Sequence, residues 1–244
     1  MEEISIMEAI PTIENPQRYV SSEFLNSPFV ELKSNEFFVV DMKYPSLKMK
    51  NAVEQCFVRW EVYEMLLKAA QSLSGKYKIK IWDAWRPFAL QKELYDLYSA
   101  NIVKRFGLAN CTETQRKSVI AKFVSDPIED RDVPPVHTSG GAVDVTLVDL
   151  EGKEIKMGTD FDAFTELTAT TYFEQNKELD KVVRNNRRLL YYTMINAGFT
   201  NLPSEWWHFD YGDQFWGYYN RKPAIYKGIF TKEEINGDRK ERSV

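Results

Sequence analysis

Residues 137–148 constrain the fold more than any other stretch of this chain. They run from His137 through two adjacent glycines into a segment that alternates as a half-buried β-strand does. Asp144 projects from one face of this strand, and the valines on either side of it project from the other face. Burying a carboxylate without a partner is costly, so Asp144 needs a cation or hydrogen-bond donors beside it. The segment therefore predicts a sheet that carries a polar site.

The chain has only two histidines, and both lie in stretches typical of a metal site. Asp144 follows His137 by seven residues, and His208 follows Glu205 by three. Two imidazoles and a carboxylate are a common ligand set for a zinc ion that keeps its fourth position for water. A nearby Glu is the usual base for the proton of that water. A single His is most often an ordinary core or surface residue, so the hypothesis of a zinc hydrolase rests on the joint pattern.

Five motifs follow one another along the chain: Asp41–Tyr44, Trp82–Pro87, His137–Asp144, Met157–Asp162 and Glu205–His208. Their order resembles that of a known family, the VanX-like zinc D-alanyl-D-alanine dipeptidases of the Hedgehog/DD-peptidase fold. The resemblance spans roughly residues 37–212. Each motif alone would match many unrelated chains, and their common order carries the resemblance.

The resemblance implies one zinc ion per chain, bound by His137, Asp144 and His208. It implies that Glu205 takes a proton from water and passes it to the leaving amine. Arg86 would stabilise the charge that develops on the scissile carbonyl oxygen. The implied reaction is the hydrolysis of D-Ala-D-Ala, a peptidoglycan precursor of the cell wall, to two D-alanines.

Tyr44 and Asp162 match the family positions that hold the free amino terminus of the dipeptide. The Asp-Phe-Asp run at 160–162 has a competing interpretation as a helix N-cap, in which Asp162 or Asp160 accepts backbone N–H bonds. The residues alone leave these two interpretations open, and the resemblance favours the ammonium site.

The chain departs from the family at Pro135, which stands two residues before His137 where the family has Ser. A hydroxyl expected to help hold the substrate is therefore missing. Thr138 and Ser139 are candidates to replace it. The change leaves the metal ligands intact and bears on substrate preference.

Three functions are consistent with these residues. The first is the zinc metallopeptidase described above, a D-Ala-D-Ala dipeptidase. The second is a DD-carboxypeptidase that acts on peptidoglycan stem peptides and has no use for Asp162. The third is a catalytically inactive zinc-binding module of the same fold, which the joint presence of Glu205 and Arg86 argues against.

The partner that the resemblance implies is a small dipeptide substrate, and composition points to no other kind of partner. A net charge of −4, with no basic run beyond residues 184–188, gives no reason to expect nucleic acid or anionic lipid. The arginines of that run have helical spacing and are interpreted as a solvated face. No apolar run reaches the ~18 residues of a membrane helix, so membrane insertion is not expected. We expect a cytoplasmic protein, or a periplasmic one if a signal peptide has been removed, and the oligomeric state stays open.

The predicted fold class is α+β, with an antiparallel β-sheet that carries the zinc site and is flanked by helices. Strands are predicted at 37–42, 78–82, 142–148 and 206–211, and helices at 52–73, from Pro87 onwards, at 112–123 and at 180–197. The helix at 52–73 would bury Cys56 as a free thiol. In the helix after Pro87, an aromatic stripe that includes Tyr98 is interpreted as core.

No Pro/Gly/Ser-rich linker divides the chain, which predicts one main domain. We expect an irregular lead-in at 1–35, a single zinc peptidase domain at 36–218 and a charged C-terminal extension at 219–244.

Overall fold

The computed structural model describes residues 8–73, 75–121, 123–163 and 165–240. Its strands are β1 (Phe29–Leu32), β2 (Phe38–Val40), β3 (Cys56–Arg59), β4 (Lys78–Asp83), β5 (Ala142–Val148), β6 (Thr200–Asn201) and β7 (His208–Asp210). Its α-helices are α1 (Lys43–Ser46), α2 (Trp60–Ser72), α3 (Phe88–Arg105), α4 (Glu113–Ile120), α5 (Val136–Ser139), α6 (Tyr172–Gln175), α7 (Lys181–Ala197), α8 (Gln214–Asn220) and α9 (Lys232–Lys240). Short 3-10 helices span Leu108–Asn110 and Glu166–Thr168.

The central sheet has five strands in the order β2-β4-β5-β7-β6. Neighbours from β4 to β6 are antiparallel, whereas β2 runs parallel to β4 at one edge. A parallel pair needs a crossover connection, and here the connection includes helix α2. Strands β1 and β3 form a separate antiparallel pair. The α+β class is confirmed, and the parallel edge strand is an addition to the predicted antiparallel sheet.

The main core lies between one face of the sheet and helices α2 and α7. Ile79, Ile81 and Val145 point into it from β4 and β5, and all three are fully buried. Leu66 from α2 and Met194 from α7 meet them, and both are also fully buried. Since successive strand residues alternate between faces, Asp144 lies on the opposite face of β5.

The helix predicted at 52–73 is wrong in its first part. Cys56–Arg59 form strand β3, in which all four residues are buried, and helix α2 begins only at Trp60. Trp60 is 44% exposed, although the predicted helical stripe placed it in the core. A short apolar run that is buried on both faces has no period of its own, so periodicity could not separate it from the helix that follows. The Cys56 thiol is free and buried, as predicted.

The solvated face predicted at residues 184–188 is wrong for Arg187, which is only 2% exposed. Its guanidinium donates to the carbonyl oxygens of Met157, Leu167 and Ala169, each at 2.8 Å. Burial lowers the pKa of Arg187 to about 9. Helical spacing of charges shows which residues share a face, but it does not show that an irregular segment with unpaired carbonyls packs against that face.

Both terminal segments contribute to the fold. The lead-in predicted as irregular contains β1, which pairs with β3. In the segment predicted as a charged extension, Tyr226 and Ile235 are buried. None of the helices in the described ranges is both long and apolar enough to cross a membrane.

Candidate active site

Three neighbouring strands place carboxylates and an imidazole side by side. In the sheet register, Asp144 of β5 is the direct partner of His208 on β7 and of Asp83 on β4. The register of β4 shifts between Ile81 and Asp83, as at a β-bulge. Bulges are frequent next to active sites because they change the direction of a side chain.

His137 reaches the same place from the short helix α5. The helix ends at Gly140, whose φ of 80° is a left-handed conformation that favours glycine. At the next residue, a Cβ on Gly141 would lie 2.6 Å from the carbonyl oxygen of Tyr211. Only glycine therefore allows the chain to pass so close to this backbone and to enter β5 with His137 beside Asp144.

The three predicted ligands converge on one point. Nε2 of His137 lies 3.3 Å from Nδ1 of His208, which lies 3.0 Å from Oδ1 of Asp144. The remaining pair, Nε2 of His137 and Oδ2 of Asp144, is separated by 3.4 Å. A tetrahedral ion with bonds of about 2.0–2.2 Å separates its ligand atoms by about 3.3–3.6 Å. Both separations that involve His137 fall in this range, and the one between His208 and Asp144 is slightly shorter, so small side-chain adjustments would let the three residues hold a tetrahedral ion.

The outward nitrogens of both imidazoles have acceptors. Nδ1 of His137 lies 2.8 Å from the carbonyl oxygen of Ala84, and Nε2 of His208 lies 2.8 Å from Oδ1 of Asp210. A proton on each outward nitrogen leaves the inward nitrogen with a lone pair, which is the tautomer a metal ligand needs. Burial would raise the pKa of Asp144, but the two imidazoles hold it well below its usual range. All three ligands are therefore ready to bind a cation.

Glu205 lies at the edge of the ligand cluster. Its Oε2 is 4.0 Å from Nδ1 of His208, so it stands beside the metal position without belonging to the ligand set. Burial raises the pKa of Glu205 to about 8, and the negative charges of Asp144 and Asp162 add to this effect. A carboxyl group with a pKa near neutrality can both accept and donate a proton.

Arg86 follows β4 and is 7% exposed. Its Nε and Nη2 donate to Oδ2 of Asp83 at 3.0 and 2.7 Å, and its Nη1 donates to Oε1 of Gln91 at 2.7 Å. Nη2 also lies 4.0 Å from Oδ2 of Asp144. These contacts fix the plane of the guanidinium and direct one edge of it towards the ligand cluster.

Asp162 is another carboxylate of the site. Its φ is 55°, a conformation that Asp tolerates better than most residues, and its Oδ2 accepts bonds from Tyr44 at 2.9 Å and Tyr98 at 2.7 Å. The N-cap interpretation finds no support, because the next helical turn in the described residues is capped by Thr165. Burial and the charge of Asp144 raise the pKa of Asp162 to about 6.

One cavity, with an empty volume of about 470 Å³, joins these groups. The residues that line it are Tyr44, Arg86, Gln91, Tyr98, Phe123, Val124, Ser125, Pro135, Val136, His137, Asp144, Asp162, Leu202, Glu205 and His208. The structure therefore brings together all seven residues that the sequence singled out, whose roles stay predictions.

Pro135 lines this cavity, and neither candidate hydroxyl replaces the missing Ser there. The hydroxyl of Ser139 donates to the carbonyl oxygen of Val136 at 2.6 Å and accepts from the backbone N–H of Gly141. Thr138 is fully buried and does not line the cavity. Ser125 is another serine that lines this cavity.

The sequence of this chain matches a family of known enzymes. The family model described as D-ala-D-ala dipeptidase matches residues 47–227. The chain belongs to this family. The match covers every predicted site residue except Tyr44. The predicted enzyme class, a peptidase, is thereby confirmed.

Several proteins named D-alanyl-D-alanine dipeptidase are similar to this chain. The Synechocystis protein is 34% identical over 171 residues, which are 64% of this chain and 69% of that protein. The Enterococcus faecium protein is 29% identical over 170 residues, 64% of this chain and 73% of that protein. The Escherichia coli protein is 32% identical over 98 residues, 39% of this chain and 49% of that protein.

A solved structure is also similar, that of the vancomycin resistance D,D-pentapeptidase VanY in complex with Zn(II). It is 16% identical, the TM-score is 0.39, and the match covers 77% of this chain and 88% of that chain. The family assignment does not depend on this weaker likeness.

Sequence reasoning did not assign three residues that the structure places in or beside the site. Asp210 supports His208, and the alternation that puts both on one face of β7 was the signal for it. Gln91 and Tyr98 line the cavity from helix α3, where Tyr98 was interpreted as core. Their spacing of seven residues puts them on one helix face, but nothing in the sequence shows what this face meets.

Proposed function

We propose that this chain is a dipeptidase that hydrolyses D-Ala-D-Ala to two D-alanines with one bound zinc ion. The observation that carries the proposal is the convergence of His137, Asp144 and His208, with Glu205 beside them. The identity of the substrate is supported by the relatives, which are named for this dipeptide. The cavity agrees with this substrate, since it is lined by the guanidinium of Arg86 and by the carboxylate of Asp162.

The zinc ion would be held by the inward nitrogens of His137 and His208 and by the carboxylate of Asp144. When bound, zinc polarises the scissile carbonyl and lowers the pKa of an attacking water to roughly 7. The outward hydrogen bonds to Ala84 and Asp210 keep the imidazole rings in place as ligands.

Glu205 moves the protons. Its carboxylate accepts one from the attacking water and then, as the acid, donates it to the nitrogen of the leaving D-alanine. Both steps need a pKa near the working pH, and burial of Glu205 provides it. Arg86 donates hydrogen bonds to the carbonyl oxygen as negative charge builds there, and Asp83 and Gln91 hold the guanidinium so that it need not reorient.

The amino end of the dipeptide would lie at Asp162 and Tyr44. An ammonium group needs a buried anion with a free oxygen, and Asp162 supplies one. This placement orients the scissile bond between Glu205 and Arg86, because these residues line the same small cavity.

We expect one zinc ion per chain, with Zn–N distances near about 2.0–2.1 Å. Elemental analysis of the purified protein measures the stoichiometry, and His208→Ala should lower it strongly because the remaining two ligands leave the ion weakly held. A matched control is Glu174→Gln, which changes a buried carboxylate outside the ligand set. A metal-free protein whose activity is insensitive to chelators would contradict the proposed cofactor.

Arg86→Lys should lower kcat by about 10²-fold or more and change KM much less. The cation acts on charge that is present mainly in the transition state, and a lysine cannot make the paired contacts of the guanidinium. Steady-state kinetics with D-Ala-D-Ala measure both constants, and an unchanged zinc content excludes an indirect effect through the ligands. A variant in which only KM rises would show that Arg86 binds substrate uniformly and does not stabilise the transition state.

The function itself is tested by the release of free D-alanine from D-Ala-D-Ala and from a stem peptide blocked at its amino end. Turnover of the dipeptide alone supports the proposal. Preference for the blocked peptide would identify a carboxypeptidase, and zinc binding without turnover of either would identify an inactive module.

A further inference from the structure

Helix α3 presents two polar side chains to the cavity. They are seven residues apart and therefore lie on the same face of the helix. Near its start, Gln91 is 1% exposed, accepts from Nη1 of Arg86 at 2.7 Å and donates to the carbonyl oxygen of Ser125 at 2.8 Å. Two turns later, the hydroxyl of Tyr98 donates to Oδ2 of Asp162 at 2.7 Å. Helix α3 thus contacts both the guanidinium of Arg86 and the carboxylate of Asp162.

Two hydrogen bonds from tyrosine hydroxyls reach Asp162, and both use the same oxygen. Tyr44 and Tyr98 both donate to Oδ2, and across the described parts of the chain Oδ1 accepts no hydrogen bond. Two donors that approach from α1 and α3 prevent rotation of the carboxylate about its own axis. Oδ1 is therefore the oxygen that remains to accept from a ligand.

Tyr44 links the two halves of the site. Its hydroxyl accepts from Nη2 of Arg86 at 3.3 Å and donates to Asp162 at 2.9 Å. A closed ring of contacts results, from Arg86 through Gln91 and helix α3 to Tyr98, then through Asp162 and Tyr44 back to Arg86. Because α3 is rigid over these two turns, it fixes the distance from the ammonium position to the carbonyl position.

We propose that Tyr98 is a specificity-determining residue of the ammonium subsite, which holds Oδ2 of Asp162 so that Oδ1 accepts from the free amino group of the substrate. The inference rests on the proposed dipeptidase function and adds a residue to it. A purely structural role as a core aromatic, by contrast, requires the ring of Tyr98 and not its hydroxyl. The two roles differ in whether the effect of removing the hydroxyl on kcat/KM depends on the charge of the substrate.

The test uses Tyr98→Phe, which removes only the hydroxyl, and Tyr95→Phe as a matched control on the same helix. Tyr95 does not line the cavity. Two substrates of equal size are compared: D-Ala-D-Ala, with an ammonium group, and D-lactoyl-D-alanine, with a neutral hydroxyl in its place. For Tyr98→Phe we expect kcat/KM of D-Ala-D-Ala to fall about 10-fold or more, mainly through KM, since hydrogen bonds to charged groups are the stronger ones.

The neutral substrate should change by less than about twofold in the same variant, and Tyr95→Phe should behave as the wild type with both substrates. In an Asp162→Asn background, Tyr98→Phe should cause no further loss, because both changes disable one subsite.

An equal loss with both substrates, or losses that add in the double variant, would overturn the inference and leave the dipeptidase function in place. A wild-type protein without turnover of D-Ala-D-Ala would remove the proposed function and this inference together.

Discussion

Glu205→Gln should retain its zinc and lose about 10²–10⁴-fold in kcat for D-Ala-D-Ala. The amide keeps the size and the hydrogen-bonding capacity of the side chain but can neither accept the proton of water nor donate one to the leaving amine. Elemental analysis together with steady-state kinetics measures both outcomes. Because Glu205 lies 4.0 Å from the nearest ligand nitrogen and is not part of the ligand set, the metal should stay.

The thermal stability of Glu205→Gln distinguishes a loss of catalysis from a folding defect. Burial raises the pKa of Glu205 to about 8, which shows that its charged form is poorly solvated. Replacement by a neutral amide should therefore leave Tm unchanged or raise it slightly. Glu178→Gln, at an exposed position, is the matched control and should alter neither activity nor Tm. Near wild-type turnover in Glu205→Gln would show that another group moves the protons.

The convergence of the three candidate metal ligands could be predicted from the sequence because each lies in a short segment whose local pattern is strong. Asp144 and His208 are each fixed on one strand face by alternation, and the sheet register then pairs them directly. His137 needs only the tight turn that two glycines allow. Local rules are enough when the chain itself brings the ligands close, or when a single strand pairing does so.

Contacts between distant segments could not be predicted in this way. Strand β3 was interpreted as the start of a helix, because burial on both faces depends on the pairing with β1 and not on its own residues. Arg187 was assigned to a solvated face, because the carbonyl oxygens that it satisfies come from a loop about 20–30 residues away in sequence. Such contacts are decided by tertiary packing, which leaves no period in the sequence.

Helix α3 shows the same limit within the site. Tyr98 belongs to a stripe of aromatic residues, and such a stripe is most often core, as its neighbour Leu94 is. What makes Tyr98 different is the loop that carries Asp162 opposite to it, 64 residues away in sequence. The resemblance to a family identified Asp162 and Tyr44, but only the packing of α3 shows that Tyr98 also contacts Asp162.

The specificity of the enzyme should depend on the charge of Asp162. N-acetyl-D-Ala-D-Ala should be a very poor substrate, with kcat/KM lower than that of D-Ala-D-Ala by about 10²-fold or more. Acetylation removes the positive charge, adds bulk and leaves a carboxylate desolvated without its partner, which costs several kcal/mol in a buried pocket. Competition of the two dipeptides for one enzyme sample measures this ratio directly.

Asp162→Asn should reduce the difference in kcat/KM between the free and the acetylated dipeptide by lowering only the value for the free one. The free dipeptide loses its ionic partner and is hydrolysed more slowly, whereas the acetylated dipeptide never had that contact and should change little. Asp160→Asn, in the same loop but outside the cavity, is the matched control. Efficient cleavage of the acetylated dipeptide by the wild type would instead indicate an open cleft and a carboxypeptidase. Pro135→Ser would then be the first substitution to test, because Pro135 lines the cavity where the resemblance implies a serine.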